Sequence, residues 1–183
     1  IPTLLVISLV TFMLSTSVPG DPVEQMLNSN SEMGSSANAI ASERAYIDKR
    51  KQLGLDLPIF YFTLSNAATP NNMYEIPKKF HRQNLERLVD KYGNWSEIDQ
   101  YYKNIRAFEL KTGDTPRDSA NGDALIIIKD NIQKTYLNYD GNALQTAFRN
   151  IEKEISKAPS LAALQPSFST LESSYTDGVV KKA

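Results

Sequence analysis

The sequence predicts an all-α chain, an apolar first helix followed by a helical bundle, and three observations carry that reading. Residues 1–20 contain no charged side chain and close on Pro19-Gly20-Asp21-Pro22. Farther on, apolar residues return at the three- and four-residue spacing of one helical face, between short connections rich in Gly, Pro, Asn and Asp. There is no cysteine, which removes disulfides, thiolate zinc sites and cysteine nucleophiles together, so packing must supply the stability.

The first element takes its class from length and charge. A run of roughly 20 apolar and hydroxyl residues can cross the ~30 Å hydrocarbon core of a bilayer as a helix. Ile1 to Pro22 reads IPTLLVISLVTFMLSTSVPGDP, with Asp21 as its first charge. A secretory signal peptide would carry a basic leader, a shorter apolar core and a small-residue cleavage site. Here the chain opens at Ile1 with neither Met nor Lys nor Arg, although Ser15-Thr16-Ser17 could pass for a cleavage region. A buried core helix is the third reading. The preferred one is a first transmembrane helix over residues 1–19, truncated at its start. Pro19 and Pro22 end it by removing N–H donors and restricting the residues before them, Gly20 permits a tight turn, and Asp21 can cap the next turn of the chain.

The remainder is polar and electrically balanced. Lys and Arg number 20 against 21 Asp and Glu, a net charge of -1, so no global field draws the chain to nucleic acid or to an anionic lipid surface. About 160 residues come after Gly20, enough for one compact domain with its own core. Val23 to Leu27 suits a short amphipathic turn, and Asn28 to Asn38, rich in Ser, Asn and Gly, reads as an exposed loop. Ser42 and Glu43 are N-cap and first-turn acid of a helix running through Tyr46 and Ile47 to Leu53, with Gly54 left-handed beyond its end. Leu55 then folds back onto the last turn and Asp56 caps the next helix. Ile59 to Leu64 is apolar and aromatic on every side, compatible with a strand or a buried helical turn; Pro58, well placed at a helix start, favours helix.

These residues resemble a family. IPTLL, TFML and VPGDPV, then ERAYIDKRKQLGLDLPIFYFTL after a spacer, are similar to the N-terminal region of the permease subunits of dipeptide, oligopeptide and nickel ABC importers. In that family a first transmembrane helix ends in a Pro-Gly-Asp-Pro turn, matched by Pro19, Gly20, Asp21 and Pro22. A short extracytoplasmic helix there ends in Leu-Gly-Leu-Asp-x-Pro, matched by Leu53, Gly54, Leu55, Asp56 and Pro58. The likeness covers residues 1–65, about a third of the chain. It implies an inner-membrane protein whose soluble part is periplasmic, paired with a second permease subunit. Cytoplasmic ATPase subunits would hold the ATP, and a solute-binding protein would deliver peptide or a related solute. No cofactor in this chain and no enzymatic activity of its own are implied.

Beyond Leu64 the likeness ends. A family member would soon return to the membrane, whereas here the chain continues for more than a hundred residues of helical pattern, so residues 20–65 read as the family-like segment and 66–183 as an inserted helical domain. In it Pro77 starts a helix carrying Phe80, Leu85, Leu88, Val89 and Tyr92, ended by Gly93. Asn94 to Glu97 fits a capping box for a helix with Ile98, Tyr101, Tyr102, Ile105 and Phe108 on one face. Thr112 to Gly122 is a polar loop. Ala124 to Ile128 could be a strand, but Ile132, Tyr136 and Tyr139 continue at helical period, so one helix is expected, buried on several sides at its start. After a turn at Asp140-Gly141 come a stripe of Leu144, Ala147, Phe148, Ile151 and Ile155, a stop at Ala158-Pro159, and a short turn capped by Ser160 and broken by Pro166. A last helix bears Phe168, Leu171, Tyr175 and Val179.

Chemistry is sparse. The one histidine, His81, stands among Lys78, Lys79 and Arg82 and reads as an ordinary surface or boundary residue. No nucleophile elbow, phosphate loop or HExxH occurs. Asp114, Asp118, Asn121 and Asp123 offer hard-oxygen ligands, but their spacing is not that of an EF-hand, and solvated loop acids are the simpler reading. Asn94-Trp95-Ser96 is a glycosylation sequon that capping explains equally well. Among the aromatics, Trp95, Tyr101 and Tyr102 are the candidate partner surface, with Tyr92 and Tyr136 nearby in pattern, although their spacing makes them core residues first. A secreted or membrane-tethered helical binding module outside any transporter is the alternative function.

Overall fold

The computed structural model of the chain describes residues 2–17, 23, 26, 39–55, 72–73, 76 and 78–181. Its backbone divides into two compact units, 1–54 and 55–183. Every regular element among the described residues is helical.

In the first unit, α1 runs Pro2–Ser17 without a charged residue, its apolar side chains spread around the whole circumference rather than gathered on one face. The side chains from Pro2 to Leu14 are exposed, Leu4 by 72%. Sixteen residues rise about 24 Å, short of the ~30 Å a bilayer core needs. No helix among the described residues is long and apolar enough to cross a membrane. Val23 and Met26 are helical. Helix α2 spans Ala39–Gln52 and so begins ahead of the Ser42 cap expected from sequence. It ends as expected: Gly54 is left-handed, φ 66°, and its N–H donates to the Lys51 carbonyl at 3.0 Å.

The second unit is a bundle of α3 (Lys79–Tyr92), α4 (Trp95–Asp114), α5 (Gly122–Leu137) and α6 (Gly141–Lys157). A 3-10 turn, Pro159–Leu164, then feeds α7 (Gln165–Ser173), which continues as a π-helical segment, Ser174–Val180. Pro166 lies in the first turn of α7, where its missing N–H costs nothing. The widening into π geometry begins within a run of hydroxyls that bond back to the chain: Ser173 to the Ser169 carbonyl, Ser174 to Leu171 and Thr176 to Glu172. Such back-bonds compete with the regular ladder and loosen it.

One hydrophobic core unites these elements. The stripe on α4 buries Ile98, Tyr101, Tyr102, Ile105 and Phe108, and the stripe on α6 buries Leu144, Ala147, Phe148, Ile151 and Ile155, as their spacing requires. Phe108 and Phe148 both meet Phe168 of α7, at ring distances of 5.8 and 6.3 Å, and Phe148 meets Tyr175 at 5.7 Å. Offset and edge-on rings at these distances add to the burial itself.

Four local expectations are corrected. Phe80 is 66% exposed, because the buried face of α3 is His81, Asn84, Leu85, Leu88 and Val89. Asn94 makes no cap bond; its amide instead donates to the Gly178 and Val179 carbonyls at 3.4 and 3.1 Å. Helix α4 runs on to Asp114, with Thr112 buried on the face it shares with Ile105 and Phe108. The start of α5, expected to be buried on several sides, is buried on one: Ala124, Leu125 and Ile128 face the core while Ile126 and Ile127 face solvent. The choice of helix over strand for Ala124 to Ile128 agrees with the structure, whereas Ile59 to Leu64 lies outside the described residues.

Candidate functional site

The most unusual chemistry of the bundle is a buried imidazole. His81 sits in the first turn of α3 and is only 4% exposed, against the expectation of a surface or boundary residue. Its ring lies flat on Tyr136 of α5, centroids 4.1 Å apart and planes 2° from parallel, and edge-on to Tyr102 of α4 at 5.9 Å. Nδ1 is 3.3 Å from the Tyr102 hydroxyl. The Tyr136 hydroxyl donates to Glu109 Oε2 at 2.8 Å, and Gln133 Nε2 donates to Glu109 Oε1 at 3.3 Å. Three helices thus meet at one stack of rings ending in a carboxylate.

The electrostatics keep the His81 and Tyr136 rings uncharged. Burial, then the charges of Lys78 and Arg106, push the His81 pKa down to about 3. Burial and the Glu109 carboxylate push the Tyr136 phenol far above its ordinary value. An imidazole so weakly basic accepts protons poorly near neutral pH, and a phenol already donating to a carboxylate has its proton committed. The arrangement is a packed joint between helices, held by stacking and hydrogen bonds.

The residues singled out from sequence scatter. Pro19, Gly20, Asp21, Pro22, Asp56 and Pro58 lie outside the described residues. Leu53, Gly54 and Leu55 form the turn after α2, both leucines partly exposed. Of the candidate partner surface, Tyr101 is fully buried and Tyr102 nearly so, which leaves Trp95 as the one member near solvent. Trp95 packs its ring on the core and donates Nε1–H to Asn72 at 3.0 Å. The loop acids do not converge: Asp118 Oδ1 accepts the backbone N–H groups of Ala120 and Asn121, both at 2.8 Å. Asn121 is buried and donates to the Pro116 carbonyl and the Ser160 hydroxyl. No group of three metal-ligating side chains occurs among the described residues.

Sequence reasoning missed the ring stack. Three cations around His81 imply a solvated face, and nothing local names Tyr102, Tyr136 or Glu109 as its company. The available signal was phase: His81 is four residues before Leu85, itself four before Val89, so it shares their face.

Comparison of the chain with protein-family models, with characterised proteins and with solved structures finds no match.

Proposed function

We propose that the chain is the N-terminal part of an ABC importer permease for peptides or related solutes. In this reading α1 belongs to the first transmembrane helix, and the bundle is an extracytoplasmic elaboration that docks the solute-binding protein or covers the pore mouth. The observation that carries it is the order of features: an apolar helix, Pro19-Gly20-Asp21-Pro22, then a helix stopped at Leu53-Gly54-Leu55-Asp56. Two structural facts support it. Helix α1 carries no charge and has apolar side chains on every side, interrupted only by Ser and Thr hydroxyls, a pattern that suits a helix surrounded by apolar groups. Gly54 takes the left-handed conformation that a Leu-Gly-Leu-Asp helix stop needs.

The mechanism divides labour among chains. The α1 helix would anchor the subunit in the inner membrane beside a second permease, and ATP would be bound and hydrolysed on cytoplasmic ATPase subunits. The contribution of this chain would be positional: a rigid bundle outside the membrane where the binding protein arrives. Coding sequence downstream of Ala183 is the first test, since a permease must continue into several further apolar spans. If it holds only polar residues, the proposal fails. Removing residues 66–183 from the complete transporter should then weaken its affinity for the binding protein and slow uptake, and unchanged values would count against the docking role.

A further inference from the structure

The interface that fastens α3 has a polar centre. Its buried face offers His81, Asn84, Leu85, Leu88 and Val89 to α4 and α5, so two of five positions are not hydrocarbon. The Asn84 amide donates to the Asn138 carbonyl, but its own carbonyl oxygen is buried without a partner. The docked imidazole is surrounded by groups that suit a neutral ring. Lys78, Lys79 and Arg82 flank it in sequence; Tyr102 and Arg106 approach from α4; Tyr136 of α5 lies under it. Glu109 of α4, one ring away, is already engaged by Tyr136 and Gln133. The ring also occupies the first turn of α3, where the helix dipole opposes a positive charge.

We propose that α3 is an acid-released latch: a neutral His81 ring, stacked on Tyr136 beside Tyr102, holds the helix against α4 and α5, and protonation of that ring lets it go. The remainder keeps its own support, because α4, α6, α7 and the π segment share the Phe108, Phe148, Phe168 and Tyr175 rings. The docked imidazole titrates at about 3, whereas a solvated one titrates near 6.5. Between these values the released helix binds a proton that the docked helix refuses. Docking is therefore at full strength above pH 6.5 and weakens as pH falls toward 3. From pH 7 to pH 5 the ratio of docked to released forms drops on the order of 25-fold. That figure barely depends on the docked value, provided it stays below about 4.

Amide hydrogen exchange on the full chain in detergent micelles, at pH 7 and pH 5 with intrinsic rates corrected, tests this. Amides of residues 85–92 should lose about 25-fold in protection at pH 5, and those of residues 144–155 less than about threefold. In His81→Phe, which keeps a stacking ring and cannot titrate, the loss in α3 should vanish. Equal losses in α3 and α6, or an undiminished loss in the variant, would overturn the latch. Should the variant not fold, the imidazole signal of the native chain decides, being that of its sole histidine. A midpoint below about 4 in the docked form supports the proposal, and one near 6.5 refutes it.

Discussion

Tyr101 carries a hydroxyl that nothing around it answers. Its ring is fully buried, 5.4 Å from the ring of Tyr175, and its oxygen has no hydrogen-bond partner. Burial first, then the neighbouring Tyr175, holds the phenol far above its ordinary pKa, so it stays protonated. A buried donor without an acceptor costs about 1–3 kcal/mol, while the ring itself repays its burial. Tyr101→Phe keeps the ring and discards the donor, and should raise unfolding stability by about 1 kcal/mol in urea titrations. A loss of that size would mean that the hydroxyl has a bonding partner after all. Spacing alone placed Tyr101 on the inner face of α4. The spacing holds no information about what its oxygen meets, since Tyr92 and Tyr175, whose hydroxyls pair at 3.3 Å, come from other parts of the chain.

Helices were legible where hydrocarbon marks the buried face and blurred where polar groups share it. The stripes of α4 and α6 are nearly pure, and their residues are buried as their spacing implies. On α3 the phase was hidden by His81 and Asn84, so Phe80, the most apolar residue of its first turn, pointed to the wrong side. Caps show a similar limit. Asn94 and Glu97 have the spacing of a capping box, yet Asn94 binds carbonyls more than eighty positions away in sequence, at Gly178 and Val179. Asp140, legible only as part of a turn, is the true cap of α6, accepting the Ala143 N–H at 3.0 Å. Asp140→Ala should therefore cost about 1 kcal/mol, and Asn94→Ala a similar amount by freeing the last turn of the π segment. Chemical unfolding checks both. If Asn94→Ala costs nothing while Asp140→Ala costs the full amount, the bond to the π segment contributes nothing to stability.

On the scale of the whole molecule, the chain joins an uncharged helix, exposed from Pro2 to Leu14, to a bundle that closes its own core. The all-helical class and the polar second unit were readable because 3.6-residue periodicity and punctuation by Gly, Pro and Asp are local signals. The purpose of α1 is not local: exposed apolar surface of this extent suits apolar surroundings, whether another protein surface or a membrane. The central claim is that those surroundings are a bilayer, with the bundle on its outer side. The chain's lack of cysteine makes the decisive measurement direct. A single cysteine placed at exposed Gln145 on α6 is probed in intact spheroplasts with a membrane-impermeant maleimide, and the membranes are then washed with alkaline carbonate. The account predicts labelling before lysis and retention in the washed membranes; labelling only after lysis, or release by carbonate, would contradict it.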